Sequence, residues 1–253
     1  MRSVFKISLF LFGVVLCNNT WAINYTQLDS GNVYYTKSLY DKAIASYKKF
    51  IAEGNESAQA YFNMGNCYFR ENDFAHAILN YEKAKKLSPA DADIQFNLQI
   101  ANLKTTDKIS PDASSSITNW WRNFVDTYSE KGWAIICIVC FCISLLLLAT
   151  YFMSRSLLLK QLGFWGAVVM FVASIMTFSF SYEQYSVLTS HDTAIVISSS
   201  VTATGAPTDN ATKLFVVHEG AKVWIVKTEG NYTEIKLANG NQGWLLTSDI
   251  EEI

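Results

Sequence analysis

The chain has 253 residues, half of them hydrophobic, with 17% charged residues and a formal net charge of −2. Residues 23–110 carry ten Lys/Arg against ten Asp/Glu, and residues 182–253 carry four against nine. This excludes a nucleic-acid binder, which needs a concentrated basic surface, and neither half suits an anionic lipid surface.

Residues 1–22 read as a signal peptide. Arg2 and Lys6 form a positive start, and Ile7 to Cys17 is an apolar run too short to span a bilayer comfortably. Thr20-Trp21-Ala22 places small residues at the −3 and −1 positions of a cleavage site. An uncleaved anchor is the alternative. Lipidation at Cys17 is disfavoured, because Val14-Val15-Leu16 lacks the small residue wanted before the cysteine. Cys67 stands apart from Cys137, Cys140 and Cys142, which share one apolar segment, and reads as a small packing residue.

Residues 24–91 repeat with a period of 34, which signals stacked helical hairpins. Gly31-Asn32-Val33-Tyr34-Tyr35 aligns with Gly65-Asn66-Cys67-Tyr68-Phe69, Tyr40-Asp41-Lys42-Ala43-Ile44 with Phe74-Ala75-His76-Ala77-Ile78, and Tyr47 with Tyr81. The glycines and Ala43, Ala77 and Ala84 let helices approach, the tyrosines fill space between hairpins, and Pro89 stops the second one. These positions resemble the tetratricopeptide repeat (TPR), most fully over Tyr61, Met64, Gly65, Tyr68, Ala77, Tyr81, Ala84 and Pro89; the first copy departs at Ser30, Phe50 and Asn55. The expected module is 23–105, with repeats 24–57 and 58–91 and a capping helix 92–105 begun by Phe96-Asn97-Leu98, which matches Phe62-Asn63-Met64. By this resemblance a concave groove exposes Asn32, Tyr35, Asn63, Asn66 and Arg70 to a protein partner; the alternative is that the asparagines are solvated helix residues. The basic residues that clamp a terminal carboxylate in some relatives are replaced by Leu28, Asp93 and Asn97.

Residues 106–132 read as a linker followed by an amphipathic helix, with Ile117, Trp120, Trp121, Phe124 and Tyr128 on one face. That face suits the membrane interface, or else docks under the helical cap. Residues 133–153 and 162–181 are uncharged and long enough to cross the hydrocarbon core as two transmembrane helices. The loop 154–161 carries Arg155 and Lys160 and no acid, so it belongs in the cytoplasm, which leaves both flanking modules in the periplasm. The spans hold no Asp, Glu, Lys, Arg or His, which argues against transport. Gly163, Gly166 and Ala167 suit close helix packing.

From residue 191 to 253 the pattern turns to short alternating segments: Ala194 to Ile197, Leu214 to Val217, Lys222 to Lys227, Tyr232 to Leu237 and Gly243 to Leu246. Asn239-Gly240 is a tight-turn signal. His218-Glu219-Gly220, Val223-Trp224-Ile225, Tyr232-Thr233-Glu234-Ile235 and Gly240-Asn241-Gln242-Gly243-Trp244-Leu245 resemble the bacterial SH3 domain. The resemblance implies an all-β SH3-like small barrel with Tyr232 and Trp244 at a ligand groove; Trp244 as a core residue is the alternative.

The fold class expected is therefore a multi-domain membrane protein: an all-α TPR solenoid, a two-helix transmembrane hairpin and the β module. No nucleophile, base and orienting partner are patterned together, so no enzyme, cofactor or metal is expected. The whole order resembles the Bacteroides aerotolerance protein E (BatE) family. That resemblance implies an inner-membrane scaffold for Bat-type partners with von Willebrand A domains, served by a MoxR-type ATPase, in tolerance of oxidative or envelope stress. Two other readings are a cell-wall sensor whose SH3-like domain binds peptidoglycan peptides, and thiol chemistry at Cys137 and Cys140.

Overall fold

The computed structural model describes residues 26–107, 116–208 and 210–253; the expected signal peptide lies outside them. Four helices form two hairpins, α1 Thr26–Thr36 with α2 Tyr40–Ala52 and α3 Ala58–Arg70 with α4 Phe74–Leu87, and α5 Ala92–Asn102 follows as a single helix. The caps are legible in the residues. Ser57 accepts from the Ala60 N–H, Asp73 from His76 and Asp91 from Asp93 and Ile94, each satisfying N–H groups that the first turn leaves open.

Within each hairpin a glycine receives a tyrosine ring. A Cβ on Gly31 would lie 2.3 Å from the Tyr47 ring and one on Gly65 2.7 Å from Tyr81, so any side chain there would push the helices apart. Both tyrosines are fully buried, with Ala43, Phe50, Ala77, Ile78 and Ala84. Cys67 is buried too; burial, followed by the charge of Glu71, pushes its thiol up to about 12, which keeps it protonated and inert.

Helix α6, Ser116–Val125, lies across the top of a long helical pair, α7 Glu130–Met153 and α8 Leu157–Thr189. The turn between the pair is Ser154–Ser156, and Lys160 falls in the first turn of α8. Both helices are long and apolar enough to cross a membrane. Their contact follows a seam of small residues on α8: Gly163, Ala167, Ser174, Thr177 and Ser181 are buried or close against α7. A Cβ on Gly163 would meet the Leu147 carbonyl at 2.9 Å. Hydroxyls bridge the seam: Ser144 donates to the Ala167 carbonyl (2.9 Å), Ser174 to Cys137 (3.2 Å) and Ser181 to Glu130 (3.2 Å). Small residues with hydroxyl donors are what helix pairing in lipid requires, since apolar burial gives no drive there.

The aromatic residues expected at an interface gather where α6 meets this stem. Phe180 contacts Trp121, Phe124 and Trp133 with centroids 4.9–5.6 Å apart, and the Trp133 Nε1–H donates to the Val125 carbonyl (2.8 Å). Trp120 stays 65% exposed. The helix thus packs on the stem while still presenting an indole outward.

The C-terminal part is one antiparallel sheet of seven described strands: β1 Thr193–Val196, β2 Ser200–Thr204, β3 Lys213–His218, β4 Lys222–Glu229, β5 Tyr232–Lys236, β6 Gln242–Leu246 and β7 Ile250–Glu252. Their order is β3-β2-β6-β5-β4-β1-β7, so the sheet is open, with β3 and β7 at its edges. Alternation reads off five of them; β2 and β7 are additional. One core joins Val196, Ala203, Val217, Val223, Ile235 and Leu245.

The sheet docks on the helical module. Ala194 and Val196 of β1 face the sheet core, whereas Ile195 joins Ile78, Tyr81, Leu98 and Ile253 in a second core. Polar contacts surround this joint. Lys222 pairs with Glu82 (2.8 Å), Lys83 with Glu251 (3.2 Å), and Lys86 donates to the carbonyls of Ser190 (2.7 Å) and Ile253 (2.9 Å). His218 donates its backbone N–H to Asp107 (2.7 Å) and sets its Nδ1 2.8 Å from the same carboxylate. Gly220, at φ +82°, brings the β3–β4 turn so near that a Cβ would lie 2.5 Å from Thr105.

Candidate functional site

The inner face of the hairpins is built on helices α1, α3 and α5, whose side chains repeat at the 34-residue period. Asn32 Oδ1 accepts from the Tyr47 hydroxyl (2.8 Å) and from Asn63 Nδ2 (2.9 Å). One repeat later, Asn66 Oδ1 accepts from Tyr81 (2.7 Å) and from Asn97 Nδ2 (3.0 Å). The result is a ladder running α1 to α3 to α5, each rung tying one helical layer to the next. Burial, first among its causes, raises both tyrosine pKa values well above the usual phenol range, so the hydroxyls remain donors.

Each ladder oxygen already accepts two hydrogen bonds, so Asn32 and Asn66 cannot use that oxygen on a ligand without breaking a rung. What remains open is the concavity beside them. Tyr35, Asn66 and Arg70 line a groove of about 280 Å³ together with Phe69, Phe96 and Ile100. Asn32 and Asn63 sit one layer away. Phe96 is 62% exposed. Arg70 is exposed, and its hydrogen bond with Tyr35, ahead of the neighbouring tyrosines' charges, raises its pKa. The groove therefore offers aromatic walls, an amide and one fixed cation. Phe69 and Phe96 escaped the sequence reading. Phe69 occupies the position of Tyr35 one period later, so the repeat itself carried the signal.

At the three positions expected to lack clamping cations, Leu28 is buried, Asp93 is an exposed acid and Asn97 is committed to the ladder. Nothing basic stands beside Arg70 in the groove to grip a free carboxylate.

The second pair of expected site residues lies on β5 and β6. Tyr232 pairs in register with Leu246 and Glu234 with Trp244, which puts Tyr232 and Trp244 on one face. Trp244 is 6% exposed, and the Lys227 ammonium covers its ring at 4.9 Å. Lys227 is itself held by Glu229 (3.0 Å) and Glu234 (3.8 Å). Its bond to Glu229, foremost, raises its pKa and keeps it charged.

On the back of the second hairpin, Asp73 caps α4 and meets His76 Nδ1 at 2.7 Å, while the imidazole stacks on Tyr68 at 5.0 Å. The bond to Asp73 raises the His76 pKa. Burial would raise that of Asp73, but its bonds with the His76 side chain and backbone outweigh burial and lower it.

Residues 58–91, covering α3, α4 and the turn after them, match the tetratricopeptide repeat family. Such repeats are protein-interaction modules and are typically non-catalytic. No curated protein matches the chain.

Proposed function

We propose that the chain is a non-enzymatic membrane-anchored adaptor that holds a segment of a partner protein in the groove between Tyr35, Arg70 and Phe96. The observation that carries this reading is the groove itself: exposed aromatic and cationic side chains on a helical face whose amides are tied into a rigid ladder. Preorganisation of this kind lowers the ordering cost of binding. The chemistry selects an extended segment with an apolar or aromatic side chain next to an acid, rather than a terminal carboxylate.

On this reading the two apolar helices anchor the groove at a membrane, and the basic turn around Arg155 and Lys160 supports a periplasmic position for the soluble parts. Docking of the sheet on α4 supports the two-pass arrangement, because it requires the helical and β modules to share one compartment. We read the β module as SH3-like and the assembly as BatE-type, with Bat-type von Willebrand A proteins as the partner class. Trp244 is better placed for packing under Lys227 than for gripping a peptidoglycan peptide, so the adaptor reading leads over the cell-wall sensor.

Photo-crosslinkers at Tyr35 and Phe96, in the full chain in native membranes, test this. Capture of one discrete membrane protein is expected, lost on Arg70→Glu and absent from a back-face probe at Lys49. Equal labelling at all three positions would overturn the groove as the binding site.

A further inference from the structure

A concavity larger than the groove lies on another side of the helical module. It is a cleft of about 1180 Å³ enclosed by α4, α5, the end of α6 and the β4 region of the sheet. Gln95, Gln99 and Asn102 follow one another along the α5 face of this cleft, at the spacing of successive helical turns, and Asn123 stands among the α6 residues that line it. The Trp224 indole, 40% exposed, supplies the sheet's share of the wall.

The charges in the cleft are largely spoken for. Glu82 is paired with Lys222, Asp107 with His218, and Asp126 accepts from Gln184 (2.8 Å). The side-chain amides of Gln99, Asn102 and Asn123 have no partner among the described residues. Such a surface offers neutral donors and acceptors in both senses beside the flat Trp224 ring and Leu103, with Lys85 as the one lining cation outside an ion pair among the described residues. A bound strand of protein would want an open backbone edge, but β4 is paired on both sides, by β1 and β5. A docked amphipathic helix would want a continuous apolar floor, whereas here Leu98 and Leu103 are interrupted by Gln95, Gln99 and Asn102.

We propose that this cleft is a second binding site, separate from the groove, for an uncharged oligosaccharide. Sugar hydroxyls give and accept hydrogen bonds as the amides do, and the C–H face of a pyranose ring lies flat on an indole. The volume exceeds the roughly 300–1,000 Å³ usual for small-molecule sites, which fits a chain of several sugar units better than a single one. The site is independent of partner capture in the groove.

The full chain in detergent micelles or nanodiscs is titrated with chitotetraose and maltotetraose, with saturation-transfer NMR and indole fluorescence as readouts. Binding of at least one is expected, with Kd raised about tenfold by Gln99→Ala with Asn123→Ala, the effect of losing one or two hydrogen bonds. Both positions are exposed, so folding should survive. Trp224→Ala should abolish the fluorescence change, and Tyr35→Ala should leave saccharide binding intact. Failure of both tetrasaccharides to bind, or binding indifferent to the amide pair, overturns the proposal. So does binding of tetra-alanine that competes at the same residues, which would make the cleft a peptide site. Loss of binding in Tyr35→Ala would also overturn it, by placing the sugar in the groove.

Discussion

The tyrosine–asparagine rungs are the residues on which the inner face depends. Asn66→Ala would strand the Tyr81 hydroxyl and the Asn97 amide in a half-buried place, at a cost of about 1–3 kcal/mol, and Tyr81→Phe should cost about 1 kcal/mol. Denaturant unfolding of the full chain measures both. Gly65→Val, which drives a side chain into the Tyr81 ring, should cost about 1–3 kcal/mol by overpacking. The Asp73–His76 contact gives a pH dependence whose sign is fixed. His76 binds its proton more tightly folded than unfolded, so its contribution is fully present below the ordinary imidazole pKa and fades as pH rises through the raised value. Asp73 is already ionised across that range, its pKa being lowered. Thermal unfolding should therefore occur at lower temperature at pH 8 than at pH 6, by a modest amount because both side chains are about a third exposed. His76→Gln should flatten the difference. The sequence made the repeat of Tyr47 on Tyr81 visible, but a pattern gives alignment, not contact. That Asn32 bonds Asn63 across 31 residues follows from how layers stack, which no single helix encodes.

Among the elements, the apolar pair was the most legible and its ends the least. Hydropathy locates a span where charges stop, yet a helix continues as long as its backbone bonds are made. Thus α8 runs 33 residues, through Lys160 at one end and Glu183 at the other. The small-residue seam was foreseen at Gly163, Gly166 and Ala167; its extension through Ser174 to Ser181 was not, because serine on a helix gives no sign of which carbonyl it will meet. Gly163→Leu should separate the pair, costing about 1–3 kcal/mol, and hydrogen exchange of α7 in micelles would report it as faster exchange near Leu147. In the sheet, β2 and β7 were hidden for opposite reasons. Ser200–Thr204 follows a run of serines and becomes strand through pairing with β3 and β6. Glu251 and Glu252 read as a solvated acid pair, yet they lie opposite Ile195 and Ala194 on β1, and Glu251 reaches Lys83.

For the molecule as a whole, the joint between α4 and β1 settles how the parts work together. A two-repeat solenoid buries too little surface to be comfortable alone. Here Ile195 and Ile253 supply apolar cover for Ile78 and Leu98 in place of a further repeat. Loosening the joint should therefore destabilise both modules at once. Gly220→Val combines an unfavourable φ with a clash against Thr105, and hydrogen exchange should quicken in α4 and β1 together while α7 is unaffected. Exchange that quickens in the sheet alone would mean the modules stand independently. None of this joint could be read in advance, since Ile195 looks like any other strand residue until the helix that covers it is in place.

The three residues from Ser190 to Asp192 are all that separate α8 from β1. With the proposed span at 162–181, the eight residues 182–189 carry α8 about 12 Å beyond the oily interior as a stiff post. With so short a joint above it and a docked sheet bracing it, the groove sits at a set height over the lipid. On that proposed anchoring, any companion rooted in the same bilayer must bring its recognised segment to that altitude, a tether of at least about four extended residues.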